Sequence, residues 1–187
     1  MKIEEIEKSN NIYIGKKVQY FETIESTHKY AKGNIDNIEN GSIIIAETQT
    51  GGIGTKGRTW HTGKENNIAM TIVLKPNKKV KELENLTVDI ARAIQKATRE
   101  LYNIELKIKE PNDLLLKEKK ICGILTEVNS IGERINYLLI SIGFNVNETE
   151  FPVELERIVT SLKKEYDKEF SREEIIIKSI ENLEKIL

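Results

Sequence analysis

The stretch 49-QTGGIGTKGRTW-60 decides how the rest of the chain is interpreted. It contains four glycines, a lysine, an arginine and the only tryptophan of the chain. Closely spaced glycines let a backbone approach a ligand, and the two cations favour an anionic ligand. The glycine spacing fits neither a Walker A motif nor a dinucleotide fingerprint. Taken alone, the loop is either a long turn between strands or a lid that closes over an anion.

The segments on either side of this loop predict strands. The run 42-SIIIAET-48 is short and rich in isoleucine, as a buried strand is, and 67-NIAMTIVLKP-76 resumes as another. Upstream, 18-VQYFETI-24 predicts a strand, and the pair Ser26-Thr27 is an N-cap signal for a helix over 28-HKYAKGNI-35. Residues 1–9 predict only a charged lead-in.

Further along the chain, apolar residues recur every three or four positions from Val80 to Leu101, which predicts an amphipathic helix. The segment 104-IELKIKE-110 alternates like a strand with one buried face. Residues 112–128 predict a β-hairpin with Lys117 to Lys119 as its charged turn, and residues 134–147 predict a strand beside it.

Helical spacing replaces strand patterns after Pro152. It covers residues 153–166 and 171–187, and Ser171 with Glu174 fits a capping box. Hairpins mixed with a few helices predict an α+β fold with a mixed, largely antiparallel β-sheet flanked by helices. We expect residues 1–187 to form a single domain, with its motifs within residues 11–147 and a helical segment over 153–187.

Composition excludes several classes of function. Twenty-nine basic side chains nearly balance thirty acidic ones, so the net charge of −1 gives no general reason for binding nucleic acid or a membrane. A single cysteine, Cys122, excludes an intrachain disulfide, and the polar N-terminus lacks the apolar core of a signal peptide. These features predict a cytoplasmic protein with no nucleic-acid or membrane partner.

Two further groups of residues are ambiguous on their own. Asp113 and Lys120 lie seven residues apart across the predicted hairpin, where they either face one phosphate pocket or belong to an ordinary turn with solvated lysines. Asn145 in 143-GFNVN-147 either satisfies buried backbone groups or holds ribose or phosphate oxygens.

The order of these motifs resolves the ambiguity. The chain presents Ser26-Thr27-His28, then 52-GIGTKGRTW-60, 109-KEPND-113, 120-KICGIL-125 and 143-GFN-145. Read together, they resemble the catalytic domain of biotin protein ligases over residues 11–147. The resemblance implies a fold related to class II aminoacyl-tRNA synthetases. It also implies a two-step reaction, in which biotin and ATP form biotinyl-5'-AMP and pyrophosphate, and biotin then passes to a lysine of a carrier protein.

The resemblance also implies partners and site residues. ATP, Mg²⁺ and biotin would be used without a tightly bound prosthetic group. The acceptor would be the biotin carboxyl carrier protein of acetyl-CoA carboxylase or a similar domain, and a homodimer is compatible with the family. The implied catalytic residues are Lys120, Asp113 and Arg58, with Asp113 also a candidate Mg²⁺ ligand. The implied biotin-binding residues are Ser26, Thr27, His28, Gln49, Gly54, Thr55, Lys120 and Gly123. The implied ATP and adenylate-binding residues are Gly52, Lys56, Gly57, Arg58, Trp60, Asn112 and Asn145.

The sequence departs from the family pattern at several positions. Ile53 and Thr55 stand where the family has loop arginines, His28 stands for an asparagine, and Glu110 stands for a tryptophan. We expect no helix-turn-helix before Asn11 and no C-terminal SH3-like domain. Two alternatives remain: a lipoate or octanoate ligase or transferase on the same fold, for which Cys122 is a candidate nucleophile, and a non-catalytic biotin-binding homologue.

Overall fold

The computed structural model describes residues 1–62 and 66–187 of the chain. The strands are β1 (Val18–Ile24), β2 (Ile43–Gln49), β3 (Ile68–Leu74), β4 (Lys107–Lys109), β5 (Asp113–Leu116), β6 (Lys119–Ile131) and β7 (Arg134–Phe144). The α-helices are α1 (Ile3–Glu7), α2 (Thr27–Gly33), α3 (Leu86–Tyr102), α4 (Leu162–Tyr166) and α5 (Arg172–Glu184).

All seven strands form one sheet in the order β1-β2-β3-β7-β6-β5-β4. Strands β1 and β2 are parallel, whereas the other neighbouring pairs are antiparallel. The centre of the sheet is the long β6–β7 hairpin, whose turn begins at Gly132 with φ +60°, a conformation that glycine adopts readily. The structure confirms the predicted mixed, largely antiparallel sheet flanked by helices.

Apolar residues on both faces of the sheet bury it between helices. On β2, Ile43 and Ile45 join the main core beneath α3 and α5, whereas Ile44 points into a smaller cluster. That second cluster contains Ala31 of α2, so α2 lies on the opposite face from α3 and α5. The α2 face is only partly apolar, and the candidate site occupies its remainder.

Two predicted helices are shorter in the structure. Residues Val80–Leu83 form a 3-10 turn whose Val80 amide donates to the Glu133 carbonyl at the β6–β7 turn, and α3 begins only at Leu86. The segment predicted as a helix over 153–166 is helical only in α4. Its middle instead forms a parallel bridge between Val159 and Lys120, which draws the backbone onto the sheet.

Three smaller predictions also change. The charged lead-in includes α1, which buries Ile6 against the main core. The β5–β6 turn is Lys117–Glu118, both with positive φ, and Lys119 already belongs to β6. At α5, the Ser171 hydroxyl caps the Glu174 amide at 3.1 Å, but the Glu174 carboxylate accepts from Tyr102 instead of completing a capping box.

Candidate active site

The N-terminus of α2 contributes the first buried polar group of the site. The Ser26 hydroxyl accepts from the Lys29 amide at 3.4 Å, which confirms the predicted N-cap. Ser26, Thr27 and His28 are all buried, at 1%, 2% and 6% exposure. The Thr27 amide and hydroxyl both donate to Oε1 of Gln49, at the end of β2, over 2.9 and 3.1 Å. These contacts fix the orientation of the Gln49 side-chain amide.

The floor of the site is a pair of glycines on the central hairpin. Gly123 of β6 and Gly143 of β7 face each other in register. The Trp60 indole lies on them so closely that a Cβ at Gly143 would be 2.2 Å from Cε2 of the ring, and one at Gly123 would be 2.9 Å from Cζ3. Only residues without a side chain leave room for this contact.

The glycine loop that delivers Trp60 folds back on itself. The Gly54 amide donates to the Arg58 carbonyl at 2.7 Å, and the Trp60 amide donates to the Gly52 carbonyl at 2.9 Å. A 3-10 turn over Thr55–Gly57 forms the tip. The loop is therefore a small hairpin that lies against the sheet, which favours the prediction of a lid over that of an open turn.

A β-bulge brings the predicted catalytic pair together. Leu114 pairs with Cys122 and Leu115 pairs with Lys120, so Ile121 is the extra residue of β6. Because successive residues of a strand face opposite sides, this extra residue puts Lys120 on the same face as Gly123 and Asp113. The Lys120 ammonium lies 2.7 Å from Oδ1 of Asp113 and 5.3 Å from the centre of a Trp60 ring.

Two adjoining clefts open on this face. The inner cleft lies between α2 and the floor, and its wall includes Ser26, Thr27, His28, Gln49, Asn112 and Gly123. The outer cleft lies towards the C-terminal segment, and its wall includes Arg58, His61, Asn145, Phe151, Leu155 and Val159. Both clefts are lined by Gly54, Thr55, Trp60 and Lys120. Lys120 therefore lies where a ligand that occupied both clefts would pass from one to the other.

Residues 20–147 match the family model described as the biotin/lipoate A/B protein ligase family. The chain belongs to this family.

Similar proteins agree with this assignment. The bifunctional ligase/repressor BirA of Bacillus subtilis is 34% identical over 87% of this chain. The alignment covers 51% of that relative, so the chain spans about half the length of the protein it matches. The biotin protein ligase of Aquifex aeolicus in complex with biotin and ATP superposes with a TM-score of 0.80 at 28% identity, over 91% of this chain and 70% of that one. The Leishmania major ligase in complex with biotinyl-5-AMP gives 0.73 at 25% identity, over 89% and 73%.

Most residues predicted from the family motifs line the two clefts, but some lie elsewhere. Gly52 lies beneath the loop, where a Cβ would be 2.5 Å from the Trp60 carbonyl, and Gly57 is exposed at the tip with φ +72°. Asn145 is buried and its amide donates to the Thr160 carbonyl, so it satisfies a backbone group at the edge of the outer cleft. The side chain of Lys56 lies outside the described part of the chain.

The departures from the family pattern also have definite locations. Ile53 and Thr55 lie on the wall of the inner cleft, so an apolar and a hydroxyl side chain occupy the positions of two arginines. Glu110 is exposed and is absent from the walls of both clefts, so its carboxylate adds no repulsion there. His28 is buried within a chain of hydroxyl groups.

Several polar residues in and beside the inner cleft were not predicted from the sequence. Thr71 of β3, Ser141 of β7 and Glu127 of β6 form a polar row beside α2, and no motif in their own strands marks them. Thr71 is the one polar residue of β3, and only this break in an apolar strand could have indicated it, whereas β6 and β7 contain other polar residues. Leu155 and Val159 were assigned to a helix and not to the site, and Phe151 was assigned to neither.

Cys122 does not belong to the site. It is fully buried on the face of β6 that packs into the main core, opposite to Lys120. Burial raises the pKa of its thiol far above the ordinary range, because the charged thiolate is poorly solvated there.

Within residues 1–62 and 66–187, no cluster of three or more His, Cys, Asp or Glu side chains could by itself hold a metal ion. No helix of the same residues is long and apolar enough to cross a membrane.

Proposed function

We propose that the chain is an ATP-dependent biotin protein ligase. Biotin would bind in the inner cleft and the nucleotide in the outer cleft, giving biotinyl-5'-AMP and pyrophosphate before transfer of biotin to a lysine of a carrier domain. The observation that carries this proposal is the position of Lys120 on the walls of both clefts. That position is where the biotin carboxylate and the α-phosphate must meet.

Lys120 is suited to the first step. The attacking carboxylate and the α-phosphate are both anionic, and a cation between them lowers their repulsion as the new bond forms. The Asp113 carboxylate, 2.7 Å from the ammonium, holds Lys120 in the direction of this junction. After adenylation, the Asp113 carboxylate beside Lys120 would orient the incoming amine of the acceptor lysine.

The nucleotide side of the site combines apolar and basic groups. Phe151 and Leu155 would contact the adenine, while Trp60 would cover the junction of the two clefts. Arg58 and Lys56 would meet phosphate oxygens at the loop, and the exposed position of Arg58 leaves it free to do so. Gly52 and Gly57 keep the loop backbone in the closed shape that excludes water from the mixed anhydride.

Mg²⁺ fits this site only together with nucleotide. Asp113 offers one carboxylate, and Mg²⁺ commonly binds through one or two carboxylates plus substrate phosphates. The ion would neutralise phosphate charge when bound, and Asp113 with Asn112 would hold it on the protein side.

Polar groups in the inner cleft favour biotin over lipoate or octanoate. Thr27, Gln49 and Ser141 provide hydroxyl and amide groups for a ureido ring, which both donates and accepts hydrogen bonds. A dithiolane ring or an alkyl chain offers no partner for the hydrogen-bonding capacity that these groups keep on the cleft side, and each group left without a partner costs about 1–3 kcal/mol. A cysteine-dependent acyl transfer is disfavoured because Cys122 is buried on the other face.

Relatives suggest the class of acceptor. A protein from Paracoccus denitrificans named biotin--[acetyl-CoA-carboxylase] ligase is 30% identical over 65% of this chain. We therefore propose a biotin-accepting domain of a carboxylase as the partner.

Pyrophosphate release with ATP and Mg²⁺ tests the first step, with biotin, lipoate, octanoate and no acid compared side by side. We expect release with biotin alone, and a loss of about 100-fold or more in Lys120→Ala, as for comparable electrostatic stabilisers. Lys119→Ala is the matched control, since Lys119 lies beside it in β6 but lines neither cleft. Release with lipoate or octanoate alone would assign the chain to the other branch of the family, and biotin binding without release would indicate a non-catalytic homologue.

A further inference from the structure

A continuous line of hydrogen-bonding contacts joins His28 to Gln49 at the end of the inner cleft. Nδ1 of His28 lies 2.8 Å from the Ser141 hydroxyl, which lies 2.8 Å from the Thr71 hydroxyl. The Thr71 hydroxyl contacts that of Thr27 at 2.9 Å, and Thr27 contacts Oε1 of Gln49 at 3.1 Å. Thr27, His28 and Thr71 are buried, so each of these short contacts requires a proton between its two atoms.

The number of available protons determines which atom donates in each of these four hydrogen bonds. Oε1 of Gln49 accepts only, and the Thr27 amide also donates to it at 2.9 Å, so Thr27 must donate its hydroxyl proton to Gln49. Thr71 must then donate to Thr27, and Ser141 must donate to Thr71. The four contacts need four protons, and the three hydroxyls supply three. Nδ1 of His28 must supply the fourth.

The other ring nitrogen of His28 also carries a proton. Nε2 lies 3.0 Å from Oε2 of Glu127, and a carboxylate can only accept. Burial raises the pKa of Glu127, but the hydrogen bonds from Lys32 and His28 lower it by more. The pKa of Glu127 is therefore below its ordinary value, and the carboxylate stays ionised. Lys32 lies 2.9 Å from the other carboxylate oxygen. With protons on both nitrogens, the ring is an imidazolium whose counter-ion is Glu127.

We propose that His28, as an imidazolium, is a positioning residue that sets the hydrogen-bond polarity of the biotin ureido pocket. This inference rests on the proposed function. Because every hydroxyl proton points towards Gln49, the free lone pair of Thr27 can only accept, and Nε2 of Gln49 can only donate. An acceptor beside a donor complements the N–H and C=O groups of a urea. A neutral His28 without the Nδ1 proton would leave one of the four contacts without a hydrogen bond. In that contact, two oxygen lone pairs, or a lone pair of oxygen and one of nitrogen, would face each other.

Two substitutions of similar shape separate this role from a packing role. His28→Asn keeps a donor near the position of Nδ1 without the charge, whereas His28→Leu has nearly the same shape and no donor. We expect the KM for biotin to rise by about tenfold or more in His28→Leu, the loss of one buried hydrogen bond, with the KM for ATP unchanged. We expect His28→Asn to recover most of that loss. Equal damage from both variants, with lowered melting temperature and a raised KM for ATP, would show a structural role and overturn the proposal.

The protonation state is measured in the unsubstituted protein, without substrate. The chain has two histidines, so ¹⁵N spectra of the imidazole nitrogens in neutral buffer can be assigned with His61→Gln alone. We expect two protonated nitrogens in His28 of the unsubstituted protein and only one in Glu127→Gln, which removes the counter-ion. One unprotonated nitrogen in the unsubstituted protein would overturn the proposal even if biotin supports pyrophosphate release. Conversely, an imidazolium in a protein that activates another acid would leave the charge state correct and the proposed function wrong.

Discussion

The contact between Trp60 and the glycine floor predicts the effect of a single methyl group at Gly143. The Cβ of Gly143→Ala would lie 2.2, 2.5 and 2.6 Å from Cε2, Nε1 and Cζ2 of the indole. Non-bonded carbon atoms pack at about 3.5–4.0 Å, so the ring must move by roughly 1.3–1.8 Å. Gly123 on the neighbouring strand also lies under the ring, where an added Cβ would be 2.9 Å from Cζ3, and the Trp60 amide is tied to the Gly52 carbonyl. We therefore expect the ring to leave the floor rather than slide along it.

The cost follows from this overpacking. Inserting a methyl group into a well-packed site destabilises a protein by about 1–3 kcal/mol, and the displaced indole also loses its contact with Lys120. We expect a lower free energy of unfolding in urea, a red-shifted emission spectrum and slower adenylation. Emission is specific to this contact because Trp60 is the only tryptophan of the chain.

A matched control distinguishes this effect from a general effect of replacing glycine. A Cβ at Gly33, the last residue of α2, would meet no atom within 4 Å. We expect Gly33→Ala to stabilise the protein by about 0.5–1 kcal/mol and to leave the emission unchanged. An unshifted spectrum and an unchanged free energy of unfolding in Gly143→Ala would refute the proposed stacking of Trp60 on the sheet.

Three further predictions concern stability and reactivity. Burial tends to raise the pKa of Glu47, but the hydrogen bonds and the charge of Arg172 hold that pKa below its ordinary value. The ionised carboxylate therefore stabilises the fold at pH values above the pKa of Glu47 in the unfolded chain. This stabilisation is lost as the pH falls through the lower pKa of Glu47 in the folded protein. Urea titrations should therefore show a smaller loss of stability between about pH 5 and 3 in Glu47→Gln than in the unsubstituted protein. Ser171→Ala removes the N-cap of α5 and should cost about 1 kcal/mol, whereas Ser130→Ala on the exposed end of β6 should cost less in the same assay. Cys122 should resist iodoacetamide until the protein unfolds, because burial raises the pKa of its thiol, and labelling of the folded protein at the rate of a free thiol would contradict its position in the core.

The sequence predicted correctly those strands and helix caps that depend on residues close together in the chain. The strand over residues 134–147, the isoleucine run of β2 and the Ser26 cap all appear in the structure as expected. The family motifs likewise predicted the residues around Lys120, because each motif lies within a few consecutive residues. Both kinds of inference depend on neighbours in the sequence.

Contacts between distant segments could not be predicted in this way. Thr71 and Ser141 lie seventy residues apart and meet only because β3 and β7 are adjacent in the sheet. Thr71 is the single polar residue of β3 and Ser141 follows an apolar run in β7, and such residues are as compatible with a solvated edge as with a buried network. The charge state of His28 depends on these two residues, so the sequence indicated the histidine as a departure from the family but not its protonation.

The incorrect helix over 153–166 and the missed wall of the outer cleft have one physical cause. The Lys120 amide donates to the Ile158 carbonyl at 2.8 Å, and the Thr160 amide donates to the Lys120 carbonyl at 2.9 Å. A backbone that makes these two bonds cannot also make the i to i−4 bonds of a helix at the same residues. The apolar side chains of the segment then point towards the outer cleft instead of a helical core. Because the bonded partner is Lys120 itself, the interaction that ends the helical pattern is also the one that holds the cleft wall beside the proposed catalytic lysine.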